Sequence, residues 1–179
     1  MEMIKVECSI KGIAPLLQHR FPEEADDKKS TKKTGRIDYS KQALESLHIN
    51  KKGIIYEPSS HIEGALRKAA VSFRIPGQSR KTYKDLVLRS VVVIPDEIPL
   101  QPQDYEVDKR SVKIQRARVF RYRPRWDEWT LDFDIHMLDE QFAPDVLKEI
   151  LDYAGAAHGI GDYRPKFGRF EVTKFEVTK

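Results

Sequence analysis

Twelve residues near the end of the chain, Gly159 to Phe170, bring together three glycines (Gly159, Gly161, Gly168), three basic side chains (Arg164, Lys166, Arg169) and three aromatics (Tyr163, Phe167, Phe170). Glycine lets backbone N–H groups approach an anion without a Cβ in the way, so this is the composition of a loop that holds phosphate or nucleic-acid backbone. The same residues are compatible with a helix stop at Gly159 followed by a solvated connection that holds nothing. A second concentration of charge runs from Lys109 to Arg125, with eight Lys or Arg and no Asp or Glu. The net charge of the whole chain is only +4, so the remainder is mildly acidic. Clustered basicity of one sign points to a polyanionic partner more than a high average charge would.

Within that run an extended backbone places Arg116, Arg118, Phe120 and Tyr122 on one face and Ala117 and Val119 on the other. Aromatic rings stack on bases and guanidinium groups pair with phosphates, so this face suits single-stranded nucleic acid. The alternative is a charged outer surface that keeps a sheet soluble and unaggregated. Small apolar residues opposite the arginines suit the side of a sheet covered by helices, which assigns the basic face to an open sheet surface.

Other chemistry finds little support. The five histidines, His19, His48, His61, His136 and His158, have no metal-ligand spacing, and no metal or cofactor is expected. A metal-independent ribonuclease needs an acid and a base at the reacting phosphate, and His19, at the end of the first strand region, is the nominee. Asp26, Asp27 and Asp38 are further candidates for RNA backbone cleavage. No Walker loop, dinucleotide fingerprint or nucleophile elbow is present. The single cysteine, Cys8, cannot form an intramolecular disulfide, which fits a reducing, cytoplasmic setting. No run of eighteen apolar residues or charged leader appears, so no membrane association is expected.

The elements that must position these groups follow from hydrophobic periodicity. Ile4, Val6, Cys8 and Ile10 alternate with polar residues as a half-buried strand. Residues 19–40 form a polar insertion, too poor in apolar area to offset its ordering entropy and therefore expected to be flexible. Tyr39 to Leu47 suits a short helix and Ile54 to Tyr56 a small strand. A helix with Ser59 or Ser60 as N-cap and a Ser60–Glu63 capping box buries Ile62, Ala65, Leu66, Ala69, Ala70 and Phe73, leaving Arg67, Lys68 and Arg74 outside. Leu86 to Leu88 with Val91 to Ile94 reads as one buried strand. Val112 to Tyr122 is expected to form a hairpin with Trp129 to Met137. Pro144 starts a second helix that ends at Gly159. The pentapeptide Phe-Glu-Val-Thr-Lys, repeated from Phe170, closes the chain as a strand, and its five-residue period requires a bulge near Lys174 or an end outside the sheet. With insertions removed, the order is strand, helix, strand, strand, helix, strand. We therefore expect one domain, residues 1–179, with a ferredoxin-like (RRM-like) α+β fold carrying two helices on one sheet face.

The segment Ile54-Ile55-Tyr56-Glu57-Pro58-Ser59-Ser60-His61-Ile62-Glu63-Gly64-Ala65-Leu66-Arg67 resembles the Ile-Pro-Gly-Ser-Ser-Leu-Lys-Gly-Ala-Leu-Arg segment that opens the first helix in the RAMP superfamily, the CRISPR-associated RNA-binding proteins. The loop from Gly159 to Phe170 is similar to the glycine-rich loop before that superfamily's final strand. Glu57-Pro58-Ser59 replaces the usual Pro-Gly-Ser. The resemblance implies a single-domain subunit that coats guide RNA, or a solitary relative encoded by a phage or mobile element. It further implies that Ser59, Ser60, Arg67 and the loop residues Gly159, Gly161, Arg164, Lys166, Gly168 and Arg169 touch RNA. The leading expectation is thus non-catalytic binding of RNA or single-stranded nucleic acid. The partners that the resemblance implies are other CRISPR-type subunits or further copies of the chain arranged head to tail. Two alternatives remain: a metal-independent endoribonuclease using His19, and a phage protein-interaction or inhibitory module on the same fold.

Overall fold

The computed structural model describes residues 3–20, 39–78, 80–114, 117–139 and 142–178. Its elements are β1 (Ile4–Gly12), β2 (Leu16–Leu17), α1 (Tyr39–Glu45), β3 (Tyr56–Pro58), α2 (Ser59–Ala70), α3 (Lys84–Ser90) and β4 (Val91–Ile94). They continue with β5 (Glu97–Pro99), β6 (Glu106–Ile114), β7 (Ala117–Trp126), β8 (Thr130–Met137), α4 (Pro144–Tyr153) and β9 (Phe170–Thr178). A π-helical turn, Ala154–His158, extends α4 up to Gly159. Residues 21–38 of the expected flexible insertion, Asp26, Asp27 and Asp38 among them, and Arg116 lie outside the described residues.

The central sheet has the order β4-β8-β1-β9 with every pair antiparallel. Each helix joins strands that have another strand between them: α2 lies in the connection from β1 to β4, and α4 in that from β8 to β9. This is the split βαβ arrangement of the ferredoxin-like fold. Period-two burial produces it. Val6, Cys8 and Ile10 of β1 and Leu131, Phe133, Ile135 and Met137 of β8 point into the core. There they meet Ile62, Leu66 and Ala69 of α2 and Leu147, Ile150 and Leu151 of α4. Burial pushes the Cys8 thiol up to about 12, so it stays protonated at neutral pH and serves as a small core residue.

The expected bulge is present one residue before Lys174. Ser9 pairs with Lys174 while Ile10 pairs with Val172, leaving Thr173 as the extra residue. The bulge restores Phe175 to the side of Phe170, so both repeats contribute a ring to the core face.

Three local expectations are corrected. Leu86 to Leu88 belongs to α3, because Leu86, Val87 and Ser90 are buried at helical spacing and the Ser90 hydroxyl donates to the Leu86 carbonyl. The Ser60–Glu63 capping box does not form. Pro58 occupies the N-cap position, and Glu63 instead accepts the backbone N–H of Val93 at 3.1 Å. Finally, β7 does not pair with β8. Asp127 and Glu128 turn the chain so that β8 enters the central sheet, while β7 pairs with β6 and β2 in a separate three-stranded sheet.

Candidate nucleic-acid interface

The pairing of β7 relocates the basic face. The open side of the central sheet carries Lys5, Glu7, Ser9, Asp132, Asp134, Lys174 and Glu176 and no aromatic platform among these residues. Its charges neutralise one another: Lys5 lies 3.1 Å from Asp134, and Lys174 lies 2.9 Å from Glu7 and 3.3 Å from Glu176. The expectation that Arg118, Phe120 and Tyr122 lie on this open surface is overturned, because their strand belongs to the other sheet.

Continuous register along the β6–β7 hairpin does keep Arg118, Phe120 and Tyr122 on one face, opposite Lys113, Ser111 and Lys109 respectively. Toward the hairpin tip this face is open. Arg118 is exposed, Phe120 is 58% exposed, and the Lys109 ammonium lies 4.4 Å from the centre of the Phe120 ring. Tyr122 lies deeper and is buried, its backbone N–H donating to the Gln42 side chain of α1. Val119, expected beneath helices, is 39% exposed, since among the described residues α2 and α4 pack on the central sheet instead.

The reverse face of the hairpin has a structural role that its one-signed sequence conceals. Arg110 and Arg125 pair with Asp108, Arg125 also pairs with Asp127, and Arg123 pairs with Asp162 of the glycine-rich loop at 2.6 Å. Arg123 is buried, and its partner Asp162 is half-buried. Arg110 lies over the Phe167 ring with its guanidinium carbon 4.4 Å from the ring centre. These contacts dock the hairpin on the loop. The partners of Asp162, Arg110, Arg123 and Phe167 were not read from sequence, since a carboxylate among glycines has no readable partner until the hairpin is placed.

His19 sits at the same joint. Burial lowers its pKa first, Arg123 and Arg121 lower it further, and Asp162 opposes them.

The loop itself is built from backbone contacts. Ile160 N–H donates to the Gly168 carbonyl, Asp162 N–H to Leu17 and Gly168 N–H to Pro15. Gly161 and Gly168 both have φ of +73°, and a Cβ at Gly161 would lie 2.5 Å from the Leu17 carbonyl oxygen. Gly161 is explained by the close approach of the loop to β2, and Gly168 by its approach to Ile160 within the loop; these contacts consume the three N–H groups. What the loop presents outward is charge. Arg164, Lys166 and Arg169 are exposed, and among the described residues none of them forms an ion pair. Gly159, after the π-helical turn, is buried.

The last turn of α2 adds to this surface. Arg67 and Lys68 are exposed, and His158, whose pKa is lowered mainly by burial, is lowered further by Lys68 and Arg164. The helix end and the loop therefore share one positive rim. At the other end of α2, Ser60 is exposed, whereas Ser59 is buried with its N–H on the Asp96 carbonyl. Among the described residues no three His, Cys, Asp or Glu side chains gather in a metal-holding group, and no helix is long and apolar enough to cross a membrane.

No protein-family model matches the chain, and no curated protein sequence does. Among solved structures it is similar to a chain of the Type III-B Cmr-beta complex bound to cognate target RNA, with a TM-score of 0.61 and 13% identity. The match covers 99% of this chain and 61% of that one, so this chain spans under two thirds of its neighbour's length. The shared property is the fold.

Proposed function

We propose that this chain is a CRISPR-associated, RAMP-type protein that binds RNA along a strip running from the hairpin tip across the glycine-rich loop to the end of α2. Lys109, Lys113, Arg118 and Phe120 form its first part, Arg164, Lys166 and Arg169 its second, and Arg67 and Lys68 its third. The observation that carries this reading is Phe120. A large ring held in solvent on a hairpin, with a lysine over it and arginine beside it, is costly for a soluble surface and suited to stacking a base while cations pair its phosphates. The fold shared with a subunit of an RNA-bound CRISPR assembly supports the same choice of ligand. The glycines contribute indirectly, by holding the loop in the shape that presents its cations. By the same reading, copies of the chain or other subunits pack beside it along the strand.

Fluorescence anisotropy with a labelled single-stranded RNA tests this. Phe120→Ala is expected to weaken binding about 5- to 150-fold, the range for losing one stacked base, with no change in melting temperature. Unchanged affinity would remove Phe120, and with it the hairpin, from the interface.

A further inference from the structure

The root of the β6–β7 hairpin, at the end away from Phe120, holds a cavity of about 250 Å³ that the RNA strip does not use. Buried Trp126 and half-buried Tyr105 give it two aromatic walls, with ring planes at 51° and centres 5.8 Å apart. The carboxylates of Asp104, Glu106, Asp127 and Glu128 line it together with one cation, Arg125. That cation is already engaged, by Asp127 at 2.6 Å and by Asp108 at 3.3 Å. Asp104, Glu106 and Glu128 are exposed, and among the described residues none of the three forms an ion pair. Trp126 is only 2% exposed, and its indole N–H has no hydrogen-bond partner among the described residues. An unpaired buried donor is costly, and an acceptor on a bound ligand relieves that cost.

We propose that this cavity binds the arginine or lysine side chain of a protein partner. Aromatic rings attract a cation through their faces, and the three carboxylates without a counter-charge hold it by charge-assisted hydrogen bonds. A backbone carbonyl next to that side chain is the acceptor for the Trp126 indole N–H. Size points the same way. The cavity is smaller than the roughly 300–1,000 Å³ of small-molecule sites, so it takes one long side chain rather than a cofactor. Its negative charge repels nucleic acid, which separates it from the strip. The hairpin thus offers cations and an exposed ring toward its tip and carboxylates at its root, and joins RNA on one end to a basic protein segment on the other. The cavity does not depend on the RNA-binding reading.

The test titrates RNA-free protein with a fluorescein-labelled peptide of alternating glycine and arginine, and with its citrulline counterpart, which keeps the shape of arginine without the charge. The arginine peptide is expected to bind saturably and more tightly than the citrulline peptide. It should also shift the Trp126 indole N–H signal in NMR while leaving that of Trp129, which already donates to the Ala14 carbonyl at 2.9 Å. Asp104→Asn/Glu106→Gln/Glu128→Gln should weaken binding about 3- to 150-fold. Tyr105→Leu, which keeps apolar volume but removes the ring, should weaken it about 2- to 30-fold. Tyr105 packs against the core, so the triple variant, built only at exposed positions, supplies the reading if Tyr105→Leu unfolds. Glu7→Gln/Asp132→Asn/Asp134→Asn, on the open face of the central sheet, should bind as the wild type does. No binding, equal affinity for the citrulline peptide, binding undiminished in the Asp104 triple variant, or an equal loss in the Glu7 triple variant would each overturn the assignment. Self-association of the wild type that the Asp104 triple variant abolishes would give the cavity to a second copy of the chain and overturn the partner named here.

Discussion

Asp162 shows how one side chain converts a basic sequence into a defined surface. By pairing with buried Arg123 it fixes the hairpin to the loop, and it opposes the effect of the arginines on His19. Removing one partner of such a pair leaves the other charge desolvated, which costs far more than an exposed pair contributes. Asp162→Ala is therefore expected to destabilise the protein by about 3 kcal/mol, measured by urea unfolding. Lys148→Ala, which breaks an exposed helix pair with Asp152, should change stability by less than about 0.5 kcal/mol. Equal effects of the two substitutions would mean that the hairpin does not depend on this contact.

At the level of elements, the glycine-rich loop separates its structural work from its binding work. The N–H groups of Asp162 and Gly168 hold it against Pro15 and Leu17, the Ile160 N–H closes it on Gly168, and its cations are exposed. Replacing Arg164, Lys166 and Arg169 together by Ala should leave the melting temperature unchanged and weaken RNA binding, with the salt slope reduced by about 2. A loss of fold would show that these side chains brace the loop instead. The sheet and helix order was legible in the sequence because β1, β8, α2 and α4 each bury a face with clean periodicity. The position of the basic strand was not. Glu106 to Ile114 alternates charged with apolar residues too irregularly to announce a strand, so β7 was assigned to the nearest obvious partner, β8. The hydrogen bonds of buried Glu57 with Gln18 and His61 were equally hidden, since only the four-residue spacing of Glu57 and His61 is visible in sequence.

For the whole molecule, three histidines respond to pH in the same direction. His19, His48 and His158 all have pKa values lowered by burial below the ordinary value of 6.5. The unfolded chain then binds protons that the folded chain refuses, so stability rises with pH wherever this difference persists. The contribution is complete above about 6.5 and is lost as pH falls below it toward the folded pKa values. Melting temperature should accordingly drop between pH 7 and pH 5, and the His19→Gln/His48→Gln/His158→Gln variant should show a shallower drop. A wild-type profile flat over that interval would contradict the burial of these imidazoles.

The cations of the proposed strip, Arg67, Lys68, Lys109, Lys113, Arg118, Arg164, Lys166 and Arg169, are all exposed. A ligand that follows the strip must displace counterions in proportion to the phosphates neutralised, at about 0.7 per contact for a single strand. The most direct test is the affinity of the wild-type chain for single-stranded RNA across a series of salt concentrations. Micromolar or tighter binding at low salt, with log K falling against log salt at a slope of about −3 or steeper, is the predicted result. No binding at low salt, or a slope near zero, would contradict the assignment of this surface to RNA.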